Sequence, residues 1–254
     1  MSRFLLRGRD PGSHTALNAW SRQERFWKRY TRAGGPLWTH QVDDRIGALI
    51  ARAVINTRVT PNHVTVLGLA LSVATSIYVS TLQAPVSPPA VLVVVVGWQL
   101  AFSLDCGDGV LARSRRAASP FGAWLDQIAD FVGKMAVYTA LGIFLARSLR
   151  LGGVSAVLVV SLVFGASILQ QFASSQRSVI LGEGGGVHAE PHRWLRLLTK
   201  VRHLSDYGGA LFLSALLLPL PNALLPFLVV EAVLGAGYVF AQVAYNWVRA
   251  SQPR

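Results

Sequence analysis

The chain has 254 residues, of which 52% are hydrophobic and only 14% are charged, and it carries a net charge of +12. Together with a mean hydropathy of +0.42, this composition is typical of a membrane protein. The single cysteine, Cys106, excludes a disulfide within the chain.

Residues 1–40 form a basic and aromatic segment, which we expect to lie in the cytoplasm ahead of a membrane domain at residues 41–254. The N-terminal sequence MSRFLLRGRD has only a short apolar run, so no secretory signal peptide is predicted. Aromatic and basic residues alternate over residues 20–38, a pattern also found in nucleic-acid-binding segments. Because membrane spans follow, we favour anchoring at an anionic lipid surface and expect no nucleic-acid partner.

The sequence QVDDRIGALIARAVINTR, at residues 41–58, predicts an amphipathic helix lying in the membrane interface. Its apolar positions at helical spacing are Ile46, Leu49, Ile50, Ala53 and Val54. In the following stretch, TPNHVT, Thr60 can cap a helix and Pro61 can occupy the first helical position. The first transmembrane helix is therefore expected to begin at this turn.

Six apolar runs predict an all-α, polytopic membrane protein with about six transmembrane helices. The runs lie at residues 63–82, 88–112, 120–145, 154–176, 204–220 and 224–247. Each is near the ~20 residues needed to cross a bilayer. The run at 204–220 is the weakest, because Asp206 enters it and Pro219 and Pro221 end it, and a re-entrant or tilted helix is the alternative.

The distribution of positive charge predicts the orientation in the membrane. Of the 24 Lys and Arg residues, 21 lie in segments that the span pattern puts on one side. Only Arg147 and Arg150 fall in the opposite loops. The positive-inside rule therefore predicts a multi-pass protein of the cell membrane, with both termini and the connector between the second and third spans in the cytoplasm.

Four aspartates lie near this end of the second and third spans, in the stretch DCGDGVLARSRRAASPFGAWLDQIAD. Asp105 and Asp108 are spaced i, i+3, and Asp126 and Asp130 are spaced i, i+4, so each pair shares one helix face. With Ser119 as the N-cap of the third span, a rise of about 1.5 Å per residue brings the two pairs to overlapping depths. Carboxylates this close would repel one another strongly unless divalent cations lay between them.

This stretch resembles the signature of the CDP-alcohol phosphotransferases, D-x2-D-G-x2-A-R-x8-G-x3-D-x3-D, with no departure at any fixed position. The matching residues are Asp105, Asp108, Gly109, Ala112, Arg113, Gly122, Asp126 and Asp130. The resemblance extends from about residue 40 to the end of the chain. It implies an enzyme of phospholipid biosynthesis that transfers a phosphatidyl group from CDP-diacylglycerol to a small alcohol with release of CMP. It also implies a homodimer.

The four carboxylates suggest a site for two divalent cations. Hard ions such as Mg²⁺ and Mn²⁺ bind carboxylate and diphosphate oxygens. We expect Asp105, Asp108 and Asp126 to hold two such ions, with Asp130 completing the site. Asp130 is also the deepest of the four, so it is best placed to take the proton from the acceptor hydroxyl. The resemblance implies the same role for Asp130.

The expected CDP-binding surface follows the same two helices. Gly109 and Ala112 would let the nucleotide lie close to the helix, and the forked guanidinium of Arg113 can reach a phosphate. The full set expected to contact CDP is Asp105, Asp108, Gly109, Ala112, Arg113, Gly122 and Asp126. The resemblance adds Asn62 and Thr65, for which a capping or packing role is the alternative from spacing alone.

The acceptor is not given by any motif. Arg177 and Arg202 are expected at the cytoplasmic mouth of the site, where they could bind a phosphorylated acceptor, although ordinary positive-inside charge explains them as well. The basic mouth favours an inositol phosphate. Glycerol phosphate, serine and phosphatidylglycerol are alternatives, as is a nonlipid CDP-alcohol donor.

A cation transporter is the alternative function class, because such proteins also carry carboxylates within the membrane. A transporter would explain four aspartates but not the fixed Gly, Ala and Arg residues among them. The sequence therefore favours the transferase.

Overall fold

The structure, a computed structural model, describes most of the chain. It covers residues 11–31, 35–150 and 206–250, with positions 154–155, 157–158, 161–162, 164–166 and 168–169. Every regular element in these ranges is helical, which confirms the predicted all-α fold class. The helices with defined bounds are α1 (Pro11–Tyr30), α2 (Asp44–Val54), α3 (Pro61–Thr81), α4 (Pro88–Ser114), α5 (Pro120–Leu149), α6 (Tyr207–Leu216) and α7 (Pro221–Ala250). A π-helical turn, Thr39–Asp43, leads directly into α2.

Four of these helices are long and apolar enough to cross a membrane: α3, α4, α5 and the Pro221–Ala241 part of α7. Helix α6 has 10 residues and extends about 15 Å, so it is shorter than the predicted run at 204–220. The predicted run at 154–176 lies only partly within the described residues. The polytopic membrane fold is confirmed, and the number of about six spans stays a prediction.

Hydroxyl caps fix where two of the spans begin, as predicted. The Thr60 hydroxyl accepts a hydrogen bond from the His63 N–H at 3.3 Å at the start of α3. The Ser119 hydroxyl accepts one from the Gly122 N–H at 3.0 Å at the start of α5. These bonds satisfy helix N-terminal N–H groups that have no partner within the helix. The second cap also fixes the helical register of the aspartates in α5.

Small residues bring α3 and α4 close together. A Cβ atom added at Gly68 would lie 3.1 Å from the carbonyl oxygen of Ala101, and one added at Gly97 would overlap the side chain of Thr75. Such close crossings are common between membrane helices, because packing replaces the hydrophobic effect there. Leu67, next to Gly68 in the chain, points away from this contact and is 58% exposed, which suits contact with lipid.

Helix α2 packs against α4 mainly through small residues, and Ile50 and Val54 of its predicted apolar stripe pack on the same apolar cluster. Gly47, Ala48 and Ala51 are buried, whereas Leu49 from the stripe is 54% exposed. A Cβ atom added at Gly47 would lie 2.7 Å from the backbone nitrogen of Gly107. Backbone contact at this point holds α2 against the part of α4 that carries the first two aspartates, and the position of α2 in the membrane interface stays a prediction.

Two tryptophans of the N-terminal segment pack against the rest of the protein, and the predicted role of this segment at a lipid surface stays a prediction. Trp27 is 6% exposed and belongs to an apolar cluster with residues of α2, α3 and α4. Trp38 stacks on Phe212 with ring centroids 4.5 Å apart, and its Nε1 donates to Gln99 at 2.9 Å. These contacts attach the N-terminal segment to the membrane helices.

Candidate active site

The predicted aspartates come together where α4 and α5 approach their short connector. Asp105, Asp108 and Asp126 each offer a carboxylate oxygen, and these oxygens all lie within 4.8 Å of one another. Asp108 is buried, Asp105 is partly buried and Asp126 is exposed. Three negative charges at this separation, partly withdrawn from water, favour a bound cation. Because all three ligands are carboxylates, the group suits a hard divalent ion better than a soft one.

A cavity of about 330 Å³ opens beside this cluster, and we call it the outer cavity. All the residues predicted to contact CDP line it: Asn62, Thr65, Asp105, Asp108, Gly109, Ala112, Arg113, Gly122 and Asp126. The α4–α5 connector lines it as well, through Ala117, Ala118 and Ser119. The structure therefore brings the predicted CDP-binding residues of three helices to one surface.

Thr65 and Asn62, which the sequence alone could not assign, both face this cavity. The Thr65 hydroxyl lies within hydrogen-bonding distance of the Asp108 carboxylate, and also of the Pro61 carbonyl oxygen at 3.2 Å. The Asn62 Oδ1 atom lies 3.4 Å from a Cβ atom added at Gly122. Helix α3 thus orients one of the clustered carboxylates and contributes an amide to the cavity wall.

Arg113, in the last turn of α4, and Arg115, two residues further on at the helix end, have different surroundings. The Arg113 Nε donates to the Tyr30 carbonyl oxygen at 2.6 Å, and its Nη1 lies 3.0 Å from a Cβ atom added at Gly109. Arg113 therefore covers Gly109 in the outer cavity. Arg115 donates instead to backbone carbonyls of the α2–α3 loop, including Ile55 at 2.9 Å, so it holds that loop against the end of α4.

The fourth predicted carboxylate, Asp130, lies on a second and smaller cavity. This inner cavity, of about 40 Å³, is lined by polar groups that include Ser72, Asp105, Asp130, Lys134 and Tyr207. The Asp130 carboxylate forms an ion pair with the Lys134 ammonium at 3.6 Å. The same ammonium lies 5.0 Å from the centroid of the Tyr207 ring. Asp105 lines both cavities and so forms part of the wall between them.

Sequence reasoning missed Asp44, which also lines the outer cavity. Asp44 is the first residue of α2, and its carboxylate lies 3.1 Å from the His40 Nδ1. Burial raises the pKa of Asp44, and the nearby His40 and Arg113 oppose that rise. The close packing of Gly47 on Gly107 brings Asp44 to the cavity, and no periodicity in the sequence signals such a contact.

The two arginines proposed for the acceptor, Arg177 and Arg202, lie outside the described residues. Their placement at the mouth of the site therefore stays a prediction.

Comparison with known proteins identifies the family. The family model described as CDP-alcohol phosphatidyltransferase matches residues 58–243. The chain belongs to this family. It is therefore a transferase, and the cation-transporter alternative is not favoured. The matched residues include the whole signature, together with Asn62 and Thr65.

Similar proteins are phosphatidylinositol phosphate synthases of mycobacteria. The synthases of Mycobacterium tuberculosis and of Mycobacterium bovis are 30% identical to this chain over 155 residues, which cover 61% of the chain and 68% of each relative. The crystal structure of the M. tuberculosis enzyme with CDP-DAG bound has a TM-score of 0.51 and 22% identity, covering 80% of this chain and 94% of that one. The structure of the same enzyme with manganese and citrate has a TM-score of 0.54 and 21% identity, covering 79% and 88%. These structures share the fold of this phosphatidyltransferase.

Proposed function

We propose that the protein transfers a phosphatidyl group from CDP-diacylglycerol to an inositol phosphate and releases CMP. The cluster of Asp105, Asp108 and Asp126 in the wall of the outer cavity carries this proposal. Family membership supports the reaction class. The similarity to phosphatidylinositol phosphate synthases supports this donor and this acceptor over glycerol phosphate, serine or phosphatidylglycerol.

The outer cavity would bind the CDP part of the donor. Gly109 and Ala112 leave space along α4, and Asn62 and Gly122 lie beside each other in the cavity wall. The Nη atoms of Arg113 lie over Gly109, where they could donate to diphosphate oxygens in a forked arrangement. The diacylglycerol chains would then extend along the lipid-exposed faces of the helices.

The three clustered carboxylates would hold Mg²⁺ or Mn²⁺, with two ions expected. Their ligand chemistry fits such ions, and one of the similar structures contains manganese. When bound, the ions would neutralise the diphosphate and stabilise the negative charge on the leaving CMP. Asp130 would complete the metal site, and because it lies on the inner cavity its main proposed role is proton transfer.

Asp130 would accept the proton of the acceptor hydroxyl as the hydroxyl oxygen attacks the phosphorus that carries diacylglycerol. A new P–O bond forms to the acceptor, and the bond from that phosphorus to the CMP oxygen breaks, so CMP leaves with the electron pair. The Lys134 ammonium, 3.6 Å from the Asp130 carboxylate, would keep that carboxylate oriented toward the inner cavity. Arg177 and Arg202 would bind the acceptor phosphate.

The proposal includes the predicted location and assembly. Both termini and the outer cavity would face the cytoplasm, the protein would act as a homodimer, and residues 1–40 would be a cytoplasmic segment ahead of the membrane domain at 41–254. The excess of Lys and Arg on one side of the predicted spans supports this orientation. Labelling of single cysteines in intact cells tests it: a cysteine at Ser87 should react from outside and one at Ser119 should not.

An acceptor comparison with purified protein tests the reaction itself. The protein in detergent would receive radiolabelled CDP-diacylglycerol, Mg²⁺ or Mn²⁺, and one acceptor at a time. We expect CMP release and a labelled phospholipid with inositol phosphate, and much less product with the other acceptors. Preference for another acceptor would contradict the acceptor assignment. Product formed only from a nonlipid CDP-alcohol would contradict the assignment of CDP-diacylglycerol as the donor. Cation flux in sealed vesicles without nucleotide would favour a transporter.

A further inference from the structure

Helix α1 precedes the residues that match the family model, yet it contacts a residue of the signature. The Tyr30 carbonyl oxygen at the end of α1 accepts a hydrogen bond of 2.6 Å from the Arg113 Nε. Arg113 lines the outer cavity. We propose that α1 is part of the donor-binding site, because its C-terminal carbonyl holds the Arg113 guanidinium in the orientation that binds the diphosphate. This inference rests on the proposed function.

The geometry divides the Arg113 guanidinium between two tasks. Its Nε is bonded to Tyr30, while Nη1 and Nη2 lie 3.0 and 3.5 Å from a Cβ atom added at Gly109, on the cavity side. The Nη atoms carry the paired N–H groups that match two phosphate oxygens. A long arginine side chain loses rotamer freedom when it binds a ligand, so a side chain held in advance binds more tightly.

Several contacts hold α1 in the position that this role requires. Trp27 is buried in the cluster that includes Ala48 and Ala51 of α2 and Leu111 of α4. The guanidinium of Arg45 lies 4.3 Å from the centroid of the Trp27 ring. Trp27 is the buried residue of α1 in this cluster, and the last carbonyl of the same helix contacts Arg113.

A polar contact supports the same docking. The Arg52 Nη1 on α2 donates to the Gln23 side chain on α1 at 2.9 Å. Lys28, in the same helix, has a side chain that is 68% exposed and forms an ion pair within α1, to Glu24 at 3.4 Å. Gln23 is therefore a residue that docks α1 on α2, and the exposed Lys28 is a control position on the same helix.

A second set of contacts leads from α1 to the outer cavity. The Trp27 ring lies 4.9 Å from the His40 ring, centroid to centroid. His40 in turn contacts Asp44, which lines the cavity. The N-terminal segment therefore contacts residues of the cavity wall at two places, Arg113 and Asp44. Of these two residues, only Arg113 has N–H groups that can donate to a phosphate.

The test is a double-mutant cycle on full-length protein in detergent, with CDP in the presence of Mn²⁺ as the probe and equilibrium binding as the readout. Trp27→Ala should weaken CDP binding about tenfold, the effect expected for losing an oriented charge-assisted hydrogen bond. Gln23→Ala, a milder change to the same docking surface, should weaken it about threefold. Lys28→Ala should leave binding within about twofold of the parent.

Arg113→Lys distinguishes orientation from general damage, because lysine has no Nε with which to bind Tyr30 while reaching the phosphate. In the Arg113→Lys background, adding Trp27→Ala or Gln23→Ala should change CDP binding less than about twofold. Equal losses in both backgrounds, or unchanged binding in both α1 variants, would overturn the proposal. If Trp27→Ala does not fold, the Gln23→Ala cycle decides. A parent protein that fails to bind CDP would contradict the proposed function and this inference together.

Discussion

The outer and inner cavities share Asp105 but differ in how their carboxylates are balanced. The outer cavity, of about 330 Å³, has three carboxylates with ligand atoms within 4.8 Å of one another. The inner cavity, of about 40 Å³, places Asp130 in an ion pair with Lys134. A cluster of like charges favours a metal ion, whereas a carboxylate balanced by a cation of the protein needs none.

This difference separates two roles within a single motif. The sequence singles out Asp130 as the deepest of the four aspartates, and the structure gives the other three to the outer cavity and Asp130 to the inner cavity alone. We infer that the first group binds the donor through metal and that Asp130 handles the proton of the acceptor. Mutations at the two cavities should therefore affect different kinetic constants.

The largest effect is expected from Asp108→Asn. Loss of one charged ligand from the cluster should lower kcat/KM by about 10³-fold or more, because metal-ion charge stabilisation contributes several kcal/mol. Asp44→Asn is the matched control, since Asp44 lines the outer cavity outside the group of three. It should lose less than about tenfold in the same assay. Equal losses of kcat/KM in the two variants would mean that the total negative charge of the cavity matters, rather than the cluster of Asp105, Asp108 and Asp126.

Asp130→Asn should lower kcat by a factor on the order of 10² or more, as expected for removal of a general base. The KM for CDP-diacylglycerol should change little, because Asp130 does not line the outer cavity. Steady-state kinetics with the preferred acceptor measures both constants. Near-normal kcat in this variant would exclude Asp130 as the base.

Lys134→Ala should lower kcat about tenfold without a matching change in the KM for the donor. The reason is that the Asp130 carboxylate would lose the ammonium that lies 3.6 Å from it. Lys134→Arg, which keeps the positive charge, should recover part of the loss. A change confined to the donor KM would place Lys134 with the outer cavity instead.

Thr65→Val should lower kcat/KM about tenfold, near the lower end of the effect of one hydrogen bond to a charged group. The Thr65 hydroxyl contacts the Asp108 carboxylate, so its loss should loosen the orientation of this proposed metal ligand. Thr81→Val, at the other end of α3, removes an exposed hydroxyl that bonds only within its own helix among the contacts described. An equal effect of both changes would argue against the role of Thr65.

Outside both cavities, Asp43 tests what burial does to a carboxylate. Its side chain is 0% exposed, and burial raises its pKa from 3.8 to about 7, against the opposing hydrogen bond from Ser103. The folded state therefore keeps this proton to higher pH than the unfolded state does. The free energy of unfolding should fall as pH rises from about 4 to 7, by an amount on the order of 1–4 kcal/mol. In detergent, the thermal unfolding temperature of Asp43→Asn should change less with pH between about 4 and 7 than that of the parent protein. The same pH dependence in both proteins would contradict the raised pKa of Asp43.

Much of the fold could be predicted because it follows from local sequence. Thr60 and Ser119 cap α3 and α5 as their positions indicate, and the apolar runs predict the long helices. Helix α6 begins at Tyr207, after the Asp206 cap, so it is shorter than the hydropathy of residues 204–220 suggests.

The site was predictable to the extent that it lies on one helical hairpin. The convergence of Asp105, Asp108 and Asp126 follows from helical spacing and a fixed cap. The contributions of Asp44 and Tyr30 do not, because they depend on how α1 and α2 pack against α4. Contacts of this kind arise from side-chain fit between distant segments, which spacing within one helix does not encode.

Donor binding measured side by side in the parent, Asp108→Asn and Asp130→Asn proteins tests the central claim most directly. Radiolabelled CDP-diacylglycerol with Mn²⁺ should bind the parent and Asp130→Asn with similar affinity and should not bind Asp108→Asn. EDTA should abolish binding to the parent, because the carboxylate cluster acts through the metal. Equal loss of binding in both variants, or full binding by the parent in EDTA, would contradict the division between a metal-dependent donor site and a separate base.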